Sequence, residues 1–225
     1  MTKKSYRRET KKRVGEILCM TCEDAAMDML KQIPDKQLVG HLFSRFYHKD
    51  ELIKFRSVNA MGALAARIGQ RSIEQARIIL RRLMWNLNDE SGGIGWGSPE
   101  AMGEILCRNS KLAKEFKSIL FSYLEPGGNF IEHEMLQRGV IWGIGTYFKS
   151  NPEDMNPDTL RLLLHHLLSR DAVKRVYALR ALFNTGHFDR HKIPETIISD
   201  DQEVPVFKNW HFIKISASAM AQQAL

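Results

Sequence analysis

Apolar residues recur every three to four positions along almost the whole chain, the spacing that gathers them on one face of an α-helix. The pattern predicts helices near 10–32, 35–47, 50–68, 72–87, 99–108, 111–123, 133–149, 157–169, 171–185 and 209–223. Start signals agree with it. Ser72 with Gln75 makes a capping-box pattern, and Asn156-Pro157 and Ser98-Pro99 each set proline at a first helical position. The one strand-like stretch, 194–207, is interrupted by prolines, which point to an irregular connection.

The helices repeat. "RSVNAMGAL" (56–64) aligns with "GSPEAMGEI" (97–105) at an offset of 41 residues. "RGVIWGIGT" (138–146), "RVYALRALF" (175–183) and "ISASAMAQQ" (215–223) follow at offsets of 41, 37 and 40. The unit is therefore a helix pair of about 40 residues. Three registers open with arginine, at Arg56, Arg138 and Arg175. Glu134 and Asp171 stand four residues before two of them, spaced for an i,i+4 pair.

This pattern resembles the HEAT-like repeat, including its short phycobilisome-lyase form, most clearly in "SRDAVKRVYALRALFNTG" (169–186). The resemblance covers roughly 35–223. It implies an all-α fold, a right-handed α-α superhelix (a HEAT-like solenoid) of about five helix pairs, with the second helix of each pair on a concave face. Such repeats serve mainly as binding surfaces. Residues 14–225 are expected to form a single solenoid domain behind a basic tail, 1–13.

Helix 133–149 suits an interior place in such a stack. Leu136, Val140, Ile144 and Tyr147 form one apolar stripe, and Ile141 with Phe148 a second. Arg138 and Trp142 lie one turn apart on a third side. They are expected to form a cation–π pair facing the concave surface.

The stretch "WNLNDESGGIGWGSPEAMGE" (85–104) breaks the rhythm with two tryptophans and five glycines. Its second half is the ordinary start of a repeat helix. The remainder, 86–98, is an inserted Gly-rich loop standing where the repeat carries its arginine. Trp85 falls off the apolar stripe of helix 72–87, beside Ile78, Arg81 and Arg82, and the loop is expected to fold over it. The glycines before a helix start suggest an anion cradle. No strand precedes them, no lysine follows, and Asp89, Glu90, Glu100 and Glu104 oppose phosphate. The acidic groups are expected to cap the helix or to meet a cation, an amine or a neutral polar ligand.

Three resemblances bear on chemistry. "WNLND" is similar to the W-x-x-x-D motif of HEAT-like alkylpurine DNA glycosylases. That resemblance implies that Asp89, with Trp85 and the basic Arg81 and Arg82, would stabilise positive charge on the sugar as the base departs. "EHEML" carries one His-Glu pair, His133-Glu134, of the kind with which deoxyhypusine hydroxylases hold two irons; the other pairs are absent. "NDESGGIGWG" resembles the signature of a HEAT-like family of anaerobic bacteria, which implies no activity. His165-His166 read as a solvated helix face.

Charge refines the picture. The chain's net charge is +7, and Lys3, Lys4, Arg7, Arg8, Lys11, Lys12 and Arg13 against Glu9 put +6 of it within 1–13. The excess belongs to the terminus, which suits a partly disordered, solubilising tail able to touch nucleic acid. Cys19, Cys22 and Cys107 cannot all pair. Cys19-Met-Thr-Cys22 sits in a helical pattern with Val14, Leu18, Ala25 and Met29, so Cys22 is expected to pack. No run approaches the roughly 20 apolar residues of a membrane span, and a cytoplasmic location is the default.

The expectation is a non-catalytic binding or scaffold protein without cofactor or metal. Trp85, Asn88, Asp89, Glu90, Trp96, Arg138 and Trp142 would meet a partner protein or a polar ligand. The alternative is the glycosylase, with Asp89 and Trp85.

Overall fold

The computed structural model describes residues 3–88, 94–186 and 188–223. Its helices are α1 (Lys3–Cys19), α2 (Glu23–Lys31), α3 (Asp35–Arg45), α4 (Glu51–Arg71), α5 (Ile73–Leu87), α6 (Ser98–Arg108), α7 (Ser110–Ser122), α8 (Glu134–Phe148), α9 (Pro157–Leu167), α10 (Ala172–Phe183), α11 (Glu195–Ile198) and α12 (Ala217–Gln223). An antiparallel hairpin, β1 (Val204–Lys208) and β2 (His211–Ile215), precedes α12. The chain is mostly helical. Among the described residues no helix is long and apolar enough to cross a membrane.

Short polar side chains start many of these helices by accepting from the free N–H groups of the first turn. Asp50 accepts from Leu52, Ser72 from Gln75, Asn109 from Leu112 and Asn156 from Thr159. Asp171 accepts from both Val173 and Lys174.

The helices pack in two rows. One row runs α4 on α6, α6 on α8, α8 on α10 and α10 on α12. The other places α3 beside α4, α5 against α4 and α6, α7 against α6 and α8, and α9 against α10. All five repeat registers fall on the first row. This row forms the centre of the core, and α8 buries both of its apolar stripes. Its small residues explain how helices come so close. A Cβ on Gly103 would stand 2.3 Å from the carbonyl oxygen of Gly143, and one on Gly143 would stand 2.4 Å from that of Pro99.

Several expectations need correction. The predicted helix 10–32 is two helices, and the first begins at Lys3, so the basic segment continues α1. Cys19 ends α1 and Cys22 is the N-cap of α2. Both are exposed, so Cys22 does not pack. The predicted helix 209–223 is instead β2 followed by α12. Asn209 and Trp210 have φ of 49° and 70°, the paired left-handed turn whose twist matches a two-residue hairpin.

The register arginines do not pair within their own helices. Arg138 donates from Nε to Asp171 at 2.6 Å, and Arg175 donates from Nε to Asp200 at 2.7 Å. The reason is capping: Asp171 spends Oδ1 on its own helix start and leaves Oδ2 facing α8. Glu134 takes Lys174 instead, and Gln137 accepts from the same ammonium. Arg56 donates to the carbonyls of Leu18 and Trp210, both at 2.8 Å. Arg138 and Arg175 thus tie their helices to segments 33 and 25 residues further on, while Arg56 ties α4 to the end of α1 and the hairpin tip.

Candidate functional site

The hairpin packs on helices of the first row. Phe207 and Phe212 pack on Phe55 of α4, and the Tyr177 hydroxyl donates to the Pro205 carbonyl. At the hairpin tip the Trp210 indole N–H donates to the Met20 carbonyl at 2.8 Å, and Arg56 stacks 5.3 Å from its ring centre. A bulky residue held at positive φ is strained. Burial and these contacts offset that strain and fix the tip beside the joint between α1 and α2.

Between hairpin and helices a cleft of about 340 Å³ remains, lined by Glu23, Asn59, Glu104, Trp142, Lys149, Arg180, Asn184, residues 206–210, Ile213, Ile215 and Met220. That is within the size range of small-molecule sites. Trp142 forms its floor. It is 2% exposed, wedged edge-on against Phe55 and tilted on Tyr177. Its indole Nε1 has no hydrogen-bond partner among the described residues, nor has Asn59 Oδ1. A buried donor left so costs roughly 1–3 kcal/mol.

Arg180 of α10 supplies the cation on Trp142. Its guanidinium lies 3.7 Å from the ring centre and donates to Thr146 Oγ1 at 3.0 Å and the Trp142 carbonyl at 3.3 Å. Arg138, expected in that role, is turned to Asp171. The position decides this: Arg138 sits a full turn nearer the start of α8, within reach of the α10 cap, whereas Arg180 crosses the middle of α8 over Gly145.

The cleft carries more cation than counter-charge. Arg180 has no carboxylate within ion-pair distance among the described residues, and burial lowers its pKa to about 10. Lys149, at the rim, is lowered to about 8, first by desolvation, then by Arg180, Arg108 and Lys208, with Cys107 acting the other way. Glu104 is buried but bonded to Arg108. Glu23 is half-buried and acts on Arg108.

The sequence-predicted residues are dispersed. Of those among the described residues, only Trp142 lines the cleft. Trp85 is 73% exposed on α5, and the part of the loop expected over it, 89–93, lies outside the described residues. Asn88 is the exposed C-cap of α5. Asp89 and Glu90 lie outside the described residues. Trp96 stands edge-on to His133 at 5.3 Å, at the opposite end of the row helices from Lys149. Around it the loop is a helix launcher. Gly97 is the N-cap at φ 73°, a Cβ there would stand 3.0 Å from the Phe46 ring, and Ser98 N–H donates to Gly95.

Among the described residues that helix start is closed to an anion, because Ser98, Pro99 and Glu100 are all buried and the Glu100 carboxyl accepts from its own backbone N–H. Burial raises the Glu100 pKa, Lys54 opposes this, and Glu51 adds to it. Glu134 bonds Lys174, so the His133-Glu134 pair is taken up structurally. Among the described residues no group of three or more His, Cys, Asp or Glu could hold a metal ion. His166 is buried rather than solvated. The basic residues of 7–13 ride on α1, away from the cleft lining; Arg45 donates to the Lys11 carbonyl there.

Sequence reasoning missed Arg180, Lys149 and Asn59. The available signal was Arg180 inside an otherwise apolar repeat helix.

No family model matches the chain. It is 32% identical over 116 residues to a protein of Archaeoglobus fulgidus described as uncharacterized, a match covering 52% of this chain. The match spans 55% of that protein's length. The crystal structure of an engineered protein is similar in fold, with a TM-score of 0.50 at 12% identity over 96% of this chain and 94% of that one.

Proposed function

We propose that this chain is a non-catalytic binding protein, a HEAT-like right-handed superhelix of about five helix pairs. Its inner face takes a polar ligand, or a segment of a partner protein, in the cleft under the hairpin. The observation that carries this reading is that one cleft is lined by two residues with buried polar atoms lacking partners, Trp142 Nε1 and Asn59 Oδ1, and by Arg180, which is hydrogen-bonded but has no carboxylate beside its charge among the described residues. Evolved cores avoid such groups unless something else satisfies them. The succession of the five registers along one packed row supports the repeat architecture. The glycosylase alternative has less in its favour, since Trp85 faces outward from α5 and lies apart from the cleft.

Thermal-shift measurements on the wild type and Trp142→Phe, against small molecules and peptides of every charge type, test the reading. Phe keeps the packing and removes the N–H. A ligand that raises the wild-type melting temperature by about 2 °C or more, and that of the variant by clearly less, supports it. A wild type that responds to none of them, or a variant that responds equally, overturns it.

A further inference from the structure

Arg180, Lys149 and Lys208 share the end of the cleft nearest the close of α8. Arg180 is held rigidly there, stacked on Trp142 and bonded to Thr146, and its hydrogen bonds leave the charge itself uncompensated. Of the two carboxylates on the lining, Glu104 is satisfied by Arg108 and Glu23 also acts on Arg108. A planar guanidinium with lysines beside it suits an oxygen anion, which it meets with charge-assisted hydrogen bonds. Trp142 supplies the floor and Phe207 an apolar wall, and the Trp142 indole N–H is buried without a partner among the described residues.

We propose that this cleft binds a small organic oxyanion, a carboxylate or phosphate, whose charged group is held by Arg180 and Lys149 while its body lies against Trp142 and Phe207. The proposal rests on the binding reading above and names the chemistry of its ligand. The depressed basicity of Lys149 agrees with it: crowded cations in a partly dehydrated cleft are what a bound anion relieves.

Benzoate, benzamide and benzylamine share one ring and differ in charge, and inorganic phosphate supplies the second anion chemistry. The protein with ¹³C-methylated lysines, which keep their charge, is titrated with each probe by NMR, with Lys149→Gln assigning the resonance and serving as the binding variant. Benzoate or phosphate should bind and move the Lys149 pKa from about 8 toward the ordinary lysine value of about 10.4. Lys149→Gln should weaken that probe about tenfold, and whichever anion binds more tightly identifies the source. Benzamide or benzylamine binding as tightly as the anions overturns the oxyanion assignment and leaves the binding reading standing. So does anion binding that ignores Lys149→Gln. If no probe perturbs Lys149 or the Trp142 indole resonance, the oxyanion proposal fails, and the thermal-shift screen alone decides the binding reading.

Discussion

Gly103 of α6 and Gly143 of α8 meet backbone to backbone, with the Gly143 carbonyl 2.3 Å from where a Gly103 Cβ would stand. No rotamer relieves such a contact, because the obstructing atom is main chain. Gly103→Ala should therefore separate the two central helices and destabilise the protein by about 3 kcal/mol or more, at the top of the range for overpacking. Gly40→Ala is the control, since nothing lies within 4 Å of its Cβ position, and Ala is the better helix former by about 1 kcal/mol. Urea unfolding of the two variants should move the midpoint in opposite directions.

The Arg138–Asp171 link joins α8 to the start of α10 and is partly shielded, with the Asp171 side chain 15% exposed. Asp171→Ala also removes a cap, so it should cost about 2 kcal/mol in all. A double-mutant cycle with Arg138→Ala isolates the pair and should give a coupling of about 1 kcal/mol. Glu134→Ala should show no coupling to Arg138→Ala, contrary to an i,i+4 pairing.

His166 is buried in the last turn of α9 with its pKa lowered to about 4, by burial first, then by Lys174 and His165, with Glu134 opposing. The unfolded chain takes up this proton near pH 6.5 and the folded one only near pH 4. The contribution is present in full above pH 6.5 and is lost as the pH falls through about 4. It amounts to at most about 3 kcal/mol. His166→Gln should flatten the stability profile between pH 6.5 and 4 relative to the wild type, measured by urea melts across that range.

Glu100 has the opposite sign. Burial raises its carboxyl pKa, so the folded state holds a proton that the unfolded state gives up, and stability is lost as the pH rises through and above 4.5. Glu100→Gln keeps the shape without the ionisation. It should be more stable than the wild type at pH 8, and the difference should shrink as the pH falls toward 4.5. A difference independent of pH counts against this account.

Helix positions were legible in the sequence wherever apolar spacing alone sets them: α3 to α10 fall within a few residues of the pattern, and the repeat offsets locate the packed row. What local pattern could not carry was anything depending on a partner far along the chain. Arg138 and Glu134 look like a pair in sequence, yet the capping geometry of Asp171, 33 residues on, decides where Arg138 goes. Arg180 looks like a surface arginine until α8 is laid beneath it. The Gly-rich loop drew attention because its composition is unusual, but its described residues mainly start α6, while the cleft is assembled from ordinary-looking positions on eight separate elements.

Trp210 shows the same dependence on distant contacts. With Asn209 it lacks the Asn-Gly signature of a two-residue turn, and its alternation with Phe212 reads equally well as the start of a helix. What holds it is remote: the Met20 carbonyl on its indole N–H, and Arg56 from α4 on its ring and its own carbonyl. Trp210→Ala should cost about 3–5 kcal/mol as a large core truncation, and should free the hairpin tip from the α1–α2 joint. Trp210→Gly would relieve the positive φ but lose the same contacts, so it should recover only about 1 kcal/mol of that loss. Hydrogen exchange offers the sharper measurement. In either variant the amides of 204–215 should exchange faster while those of α8 stay protected; uniform loss of protection across the chain would mean that the hairpin is integral to the core rather than anchored by its tip.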